Sequence, residues 1–202
     1  MNIYYYTNRD KLDDRKIPDF LECKGYSVLI DFVRPEIDWL KQNKIQFIIS
    51  DRARYIIDES VINFMKCKII NLHPSFLPWC KGYHPILAGL IKNQCLGVTL
   101  HLINKGIDTG DILIQEPIYI APNDTLSTLY DKHRSALFRL LQENLDLLLN
   151  GKIAPVAQHP LMGSFHKKDQ FPAIISKLPY EWDTSVTWIK ENFMANEVLY
   201  EH

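Results

Sequence analysis

The sequence has few of the features that mark secreted, membrane-bound or redox-active proteins. Its 202 residues include only four cysteines, Cys23, Cys67, Cys80 and Cys95. They are too far apart for a CxxC metal or redox motif and too few for a disulfide framework, so they fit a reducing cytoplasm. The chain has no signal-peptide pattern at its start, and no apolar run approaches the length of a membrane span. We therefore expect a cytoplasmic protein with no membrane partner.

An excess of charge of one sign is also absent. The chain has 23 basic and 24 acidic residues, which gives a formal net charge of -1. This balance argues against a nucleic-acid-binding surface and against a polybasic membrane patch. With 47% hydrophobic residues, the chain is long enough for one domain with a substantial core and a short appendage.

Strand-like apolar runs alternate with segments of helical periodicity over the first two thirds of the chain. This alternation predicts an α/β fold with a doubly wound, mostly parallel sheet. The predicted strands cover residues 2–6, 26–30, 46–50, 68–72, 96–103 and 111–120, and the last two are expected to form an antiparallel pair. The predicted helices cover residues 14–23, 35–43, 59–67, 84–92 and 125–149, the last one capped by Asn123 and Asp124.

The composition changes after residue 150. Four prolines punctuate short segments there, and a last amphipathic helix is predicted over residues 185–199. This tail is too small to have its own core. We expect a catalytic domain over residues 1–150 and an extension over residues 151–202 that packs on the domain or at a homodimer interface.

The most informative stretch lies where the strand over residues 68–72 ends. Asn71 and His73 are two residues apart on an extended chain and share a face, and Pro74 holds His73 rigid. Downstream, Asp108 lies in a glycine-bounded loop. An amide can donate to an oxyanion, an imidazole moves protons near neutral pH, and a carboxylate orients the ring. The three groups together predict a proton-transfer site.

These motifs resemble those of a known family. The sequence reads Asn-x-His-Pro-Ser-x-Leu-Pro from Asn71, then Gly-Val-Thr-x-His ending at His101, then Ile-Asp-Thr-Gly-Asp-Ile-Leu around Asp108. This series is similar to the folate-dependent formyltransferases. The resemblance implies a Rossmann-like domain that transfers a formyl group from N10-formyltetrahydrofolate to an amine without a metal. It assigns catalysis to Asn71, His73 and Asp108, and a supporting position beside the aspartate to His101.

The resemblance also implies a folate site made largely of main-chain groups. By register, these groups belong to two loops. One contains Tyr55, Ile56 and Ile57, and the other runs from Lys105 and Gly106 to Asp108.

Three features bear on the amine acceptor. The loop after the first strand, residues 7–10, lacks the glycines that bind phosphate in glycinamide ribonucleotide transformylase. The sequence shows no basic C-terminal domain of the kind that binds tRNA in methionyl-tRNA formyltransferase. The Leu-Pro-Trp-x-Lys-Gly segment over residues 77–82 resembles the sugar N-formyltransferases. The resemblance implies a dTDP-linked amino-dideoxyhexose for bacterial surface polysaccharide. The compactness of the chain slightly favours a 3-amino sugar over a 4-amino sugar.

Acceptor binding is expected from Trp79, Lys81, Gly82 and Arg9, with the segment 165–168 as a further candidate for the nucleotide. Two of these residues have a plainer alternative: Trp79 can wedge its loop against the core, and Lys81 can be a solvent-facing charge. Cys80 is not expected to be a nucleophile. The alternative functions are formylation of another small amine, such as glycinamide ribonucleotide, and a folate- or sugar-nucleotide-binding module without turnover.

Overall fold

The structure, a computed structural model, confirms the predicted α/β class. It describes residues 1–11, 15–159 and 161–194. The strands are β1 (Asn2–Tyr6), β2 (Ser27–Asp31), β3 (Ile45–Asp51), β4 (Ile69–His73), β5 (Lys81–Gly82), β6 (Gly97–Leu102), β7 (Ile112–Pro117) and β8 (Phe165–His166). The helices are α1 (Lys16–Cys23), α2 (Ile37–Gln42), α3 (Glu59–Met65), α4 (Pro85–Ile91), α5 (Leu126–Leu149), α6 (Pro172–Ile175) and α7 (Val186–Ile189).

The main sheet has six strands in the order β2-β1-β3-β4-β6-β7. The pairs β1–β2, β1–β3 and β3–β4 are parallel, with Ser50 opposite Asn71 and Asp51 opposite Leu72. The N–H of Ile103 donates to Ile69 O, so the end of β6 lies beside the start of β4 and β6 runs antiparallel to β4. Backbone hydrogen bonds at both ends of the β6–β7 hairpin confirm the predicted antiparallel pair.

The chain divides into two compact units. Unit 1 comprises Met1–His73, Leu100–Ile114 and Leu137–Gln158, and unit 2 comprises Pro74–Thr99, Gln115–Ala136 and the described part of His159–His202. The residues of the predicted extension therefore contribute to both units. Those before residue 159 belong to unit 1, and those from residue 159 onward belong to unit 2.

Each unit has its own apolar core. In unit 1, the buried cluster consists of Tyr4, Tyr6, Leu40, Ile45, Ile48, Ile57, Val61, Met65 and Ile69. In unit 2, residues of α4 and of the start of α5 pack with residues of the extension, including Phe171, Ile174, Leu178, Val186 and Ile189. Burial of side chains of this size stabilises each unit by roughly 1.5–3 kcal/mol per residue.

The ends of α2, α3, α4 and α5 lie within two residues of the predicted ones, and the predicted start of the first helix, at residue 14, lies outside the described residues. Two further differences concern the cap of the long helix and the last helix. The long helix is capped by Thr125, not by Asn123 and Asp124: the Thr128 N–H donates to Thr125 Oγ1 at 3.2 Å, and the Thr125 N–H donates to Thr128 Oγ1 at 3.0 Å. Such a reciprocal pair satisfies two donors of the first turn. The last predicted helix is α7 followed by a π-helical segment over Lys190–Met194, and the rest of that prediction lies outside the described residues. Within the part of the chain described, no helix is long and apolar enough to cross a membrane.

Candidate active site

Four polar side chains come together in unit 1 where β4 and β6 lie side by side. Asn71 and His73 are on β4, His101 is on β6, and Asp108 is in the loop that follows β6. His73 and His101 are buried, with side-chain exposures of 6% and 2%, and Asp108 is 13% exposed. The structure therefore brings together the three predicted catalytic residues and the predicted supporting histidine.

His101 fixes the orientation of Asn71. Its Nδ1 lies 2.8 Å from Leu102 O, and because a carbonyl oxygen only accepts, Nδ1 carries the proton. In the tautomer that this contact selects, Nε2 is an acceptor, and Asn71 Nδ2 lies 3.1 Å from it. The amide nitrogen of Asn71 must therefore face His101. The sequence placed His101 beside the aspartate, and the structure shows that His101 also contacts the amide of Asn71.

Asp108 faces all three of the other groups. Its Oδ1 lies 3.4 Å from Asn71 Nδ2 and 3.6 Å from His101 Nε2, and its Oδ2 lies 3.6 Å from His73 Nδ1. These separations are longer than the usual 2.7–3.2 Å of an N–H···O hydrogen bond. Nδ1 is thus the nitrogen of the His73 ring that faces the carboxylate.

The loop that carries Asp108 has a demanding backbone. Asp108 has φ +53°, in the left-handed region that Asp and Asn tolerate better than most residues. A Cβ on Gly110 would lie 1.8 Å from Leu102 O, so this position requires glycine. Asn104 Oδ1 accepts from the Gly106 N–H at 3.0 Å and from Thr109 Oγ1 at 2.7 Å. The glycines on either side of Asp108 in the sequence motif are therefore explained by the tight backbone of this loop.

One residue that contacts this loop was not predicted from the sequence. Gln158, in the chain beyond α5, has its Nε2 donating to Asp108 O at 2.9 Å and to Gly110 O at 2.8 Å. It lies in a proline-punctuated segment with neither strand nor helix periodicity, so the sequence carries no local signal for the contact.

The first predicted folate loop also lies in unit 1. Tyr55 and Ile56 are exposed there, whereas Ile57 is buried in the unit 1 core. The hydroxyl of Tyr6, at the end of β1, donates to Tyr55 O at 3.0 Å. In the second loop, Lys105 is exposed and Gly106 is partly buried.

The predicted acceptor-binding residues belong to different units. In unit 1, Arg9 is exposed and its Cζ lies 5.4 Å from the centroid of the Phe32 ring. In unit 2, Trp79 packs partly buried against the core cluster, as the packing alternative expects. The Lys81 N–H donates to Ser164 O at 2.9 Å, and a Cβ on Gly82 would lie 2.4 Å from His166 O. The backbone of this segment is thus tied to the strand β8.

Cys80 is part of a compact hydrogen-bonded network in unit 2. Its Sγ donates to Gln94 Oε1 at 2.9 Å, its N–H donates to Ser164 Oγ at 2.9 Å, and Ser164 Oγ donates to Gln94 Oε1 at 2.9 Å. Burial raises the pKa of the Cys80 thiol to about 11, which opposes formation of the thiolate that a nucleophile requires. The network holds the loop between Trp79 and Lys81.

The residues described contain no group of three or more His, Cys, Asp or Glu side chains suited to a metal ion.

Comparison with known proteins identifies the family of the chain. A family model described as Formyl transferase matches residues 24–145, more than half of the chain. The chain therefore belongs to the formyltransferase family.

The most informative similarity is to the formyltransferase PseJ from Anoxybacillus kamchatkensis, solved in complex with UDP-4,6-dideoxy-4-formamido-L-AltNAc and tetrahydrofolate. The two chains are 34% identical, with a TM-score of 0.82, over 93% of this chain and 96% of that one.

Curated relatives are similar over part of their length. A methionyl-tRNA formyltransferase from Methylacidiphilum infernorum is 27% identical over 75% of this chain and 44% of its own. The bifunctional polymyxin resistance protein ArnA from Wigglesworthia glossinidia brevipalpis is 36% identical over 65% of this chain and 20% of its own. The chain thus spans less than half the length of these relatives.

Proposed function

We propose that this protein transfers the formyl group of N10-formyltetrahydrofolate to the amine of a nucleotide-linked amino-dideoxyhexose. The observation that carries the proposal is the cluster of Asn71, His73, His101 and Asp108 in a chain of the formyltransferase family. A binding module without turnover would not need a carboxylate that lies within 3.6 Å of both an amide and an imidazole.

In the proposed reaction, the neutral amine attacks the formyl carbon, a C–N bond forms, and the formyl oxygen becomes an oxyanion. Asn71 Nδ2 donates to this oxyanion. To do so, Asn71 Nδ2 gives up its 3.4 Å contact with Asp108 Oδ1. Its 3.1 Å contact with His101 Nε2 remains and keeps the amide oriented. A fixed donor of this kind contributes roughly 3–4 kcal/mol to the transition state.

The proton of the attacking amine passes to Nε2 of His73, and Asp108 stabilises the resulting imidazolium through Nδ1. The intermediate then collapses: the bond between the formyl carbon and N10 of the folate breaks, and N10 takes up a proton. The products are a formamido sugar and tetrahydrofolate, and no metal takes part.

For the acceptor, we propose a UDP-linked sugar with its amine at C4 as the first candidate. The support is the similarity to the Anoxybacillus enzyme, which extends over nearly all of both chains. The dTDP-linked 3-amino sugar expected from the sequence is the second candidate. Its dTDP link derives from the resemblance of the Leu77–Gly82 motif to sugar N-formyltransferases, and its amine position from the compactness of the chain.

Trp79, Lys81, Gly82 and Arg9 are proposed to contribute to acceptor binding, and the loops at Tyr55–Ile57 and Lys105–Gly106 to folate binding. Lys81→Ala tests the first assignment. If Lys81 meets a phosphate of the acceptor, the variant should raise KM for the acceptor and leave KM for the folate unchanged. An unchanged acceptor KM would assign Lys81 to solvent.

The decisive experiment offers the protein and N10-formyltetrahydrofolate a panel of amines and follows product mass. The panel contains a UDP-linked 4-amino-4,6-dideoxyhexose, dTDP-linked 3-amino and 4-amino sugars, glycinamide ribonucleotide and methionyl-tRNA. We expect a gain of one formyl group on a sugar nucleotide and its loss in Asn71→Ala and His73→Ala. Formylation of methionyl-tRNA alone, or of no amine, would refute the proposal.

A further inference from the structure

The geometry points to Gln158 as a positioning residue that acts on the reaction through Asp108. Gln158 lies in the chain beyond α5, in a segment to which neither the family motifs nor the sequence pattern assigns a role. The inference rests on the proposed function, because it concerns the group assigned to stabilise the imidazolium.

A backbone contact brings this segment to the loop. Val156 and Ile112, the first residue of β7, exchange two hydrogen bonds of 2.8 Å as an antiparallel bridge. Side chains alternate along an extended chain, and Gln158 is two residues beyond Val156. Its amide reaches back to the turn that precedes β7. The bridge therefore sets the register from which Gln158 contacts the Asp108 loop.

The amide of Gln158 spans the aspartate. Its Nε2 donates one hydrogen to Asp108 O at 2.9 Å and the other to Gly110 O at 2.8 Å. Both partners are carbonyl oxygens, so the nitrogen and not the oxygen of the amide must face them. The two bonds connect the carbonyls on either side of Thr109 and hold the backbone that sets the direction of the Asp108 side chain.

The loop has a specific need for such a restraint. Asp108 has a positive φ, a conformation that an L residue keeps only where its surroundings impose it. Asn104 restrains the earlier part of the loop through Gly106 and Thr109. Gln158 restrains the part that carries the carboxylate. Loss of this restraint would let the 3.6 Å pairing between Asp108 and His73 lengthen.

The other end of the Gln158 side chain supports this assignment. Its Oε1 is buried and has no hydrogen-bond partner. Leaving a buried acceptor unsatisfied is unfavourable, so the side chain is oriented by its two donor contacts and not by its oxygen.

The test compares Gln158→Leu, which has similar size and no donor, with Gln158→Asn, which keeps the amide but is too short to span both carbonyls. A displacement of a reacting group by about 1 Å lowers turnover by about 100-fold. We expect kcat to fall by this order in both variants, with KM for the acceptor within about twofold of wild type. An unchanged kcat in Gln158→Leu would overturn the assignment.

A double-mutant comparison separates positioning from general stabilisation. If Gln158 acts through Asp108, then Gln158→Leu should have no further effect in an Asp108→Ala background, within about twofold in single-turnover rate. The matched control is Gln115→Leu, because Gln115 also donates two hydrogen bonds, to Leu77 O and Thr99 Oγ1, within unit 2. Its effect should multiply with that of Asp108→Ala. Full multiplication for Gln158→Leu would refute the role.

Amide hydrogen exchange makes the outcome independent of the acceptor. We expect exchange of the segment 104–110 to rise at least about tenfold in Gln158→Leu and to stay at the wild-type rate in Gln115→Leu. If wild type formylates no amine while this exchange rises, the proposed function fails and the restraint of the Asp108 loop stands. If wild type formylates a sugar and neither exchange nor kcat changes in Gln158→Leu, the positioning role fails and the function stands.

Discussion

The polar cluster of unit 1 and the polar network of unit 2 differ in the distances between their polar atoms. Around Cys80, the bonds from Sγ to Gln94, from the N–H to Ser164 and from Ser164 to Gln94 each measure 2.9 Å. Around Asp108, the contacts to Asn71, His73 and His101 measure 3.4, 3.6 and 3.6 Å. Short bonds that satisfy one another hold a loop in place. Longer contacts among an amide, an imidazole and a carboxylate can be exchanged for bonds to a substrate, as catalysis requires.

The two units also contain buried histidines in opposite environments. His73 and His101 in unit 1 each lie 3.6 Å from a carboxylate oxygen. In unit 2, His133 is fully buried, and its Nδ1 lies 2.6 Å from the Leu129 carbonyl. Burial lowers the pKa of His133 to about 4. A buried histidine held neutral in this way serves the structure around it, whereas His73 is the residue proposed to accept a proton from the substrate amine.

The largest effect in this comparison is expected from His73→Asn. The variant removes the proposed proton acceptor, and turnover should fall by about 100- to 10,000-fold. Affinity for the sugar nucleotide should stay near that of wild type, because the ring is assigned to proton transfer. Steady-state kinetics and calorimetry test the two halves separately. A large loss of affinity would contradict this division of roles.

The next largest effect is expected from Asn71→Ala. Loss of the proposed oxyanion donor should lower kcat by about 100- to 1,000-fold. The control is Asn150→Ala, which removes another asparagine amide of unit 1. Asn150 is exposed, and its Nδ2 donates to Asp146 O at 2.6 Å. This variant should retain wild-type kcat. Equal losses of kcat in Asn71→Ala and Asn150→Ala would show that turnover depends no more on Asn71 than on an exposed asparagine.

His133 predicts a smaller effect, on stability against pH. The unfolded chain binds a proton at this residue below its ordinary pKa of about 6.5, whereas the folded chain does so only near pH 4. The stability associated with neutral His133 is therefore present above pH 6.5 and is lost as the pH falls toward 4, by up to about 3 kcal/mol. Urea unfolding at pH 7.5 and pH 4.5 should show this loss in wild type. His133→Gln should show less of it, and equal pH dependence in both proteins would disprove the prediction.

The smallest effect is expected from Cys80. Cys80→Ala removes one hydrogen bond from Gln94, which keeps its bond from Ser164, so the free energy of unfolding should fall by about 1 kcal/mol in a denaturant titration. Because burial raises its thiol pKa to about 11, Cys80 should also be alkylated much more slowly at pH 8 than the three exposed cysteines. Rapid alkylation of Cys80 in the folded protein would remove the contrast between the two units.

The sequence predicted the strands well because their signals are local. Apolar runs bounded by turns identified all six strands of the main sheet, and alternation along β4 placed Asn71 and His73 on one face. Helix ends were less accurate. Thr125 caps α5 through Thr128, and a Thr-x-x-Thr pair lacks the glutamate or glutamine by which such boxes are usually recognised.

The candidate site shows the same limit. Motif order alone grouped Asn71, His73, His101 and Asp108, but it gave neither the protonated nitrogen of His101 nor the orientation of the Asn71 amide. Both depend on the Leu102 carbonyl and on distances between two strands. Gln158 could not be anticipated, since its partners lie about fifty residues away and its segment has no periodic pattern.

By itself, the sequence determined the α/β class, the residue types of the site and the strands and loops that bear them, because periodicity and turn chemistry act between near neighbours. Only the tertiary structure decided which nitrogen of each histidine faces which partner, how far Asp108 lies from its neighbours in the site and which distant side chain holds its loop. These properties depend on distances of a few tenths of an ångström between segments far apart in the chain, and no local pattern encodes them.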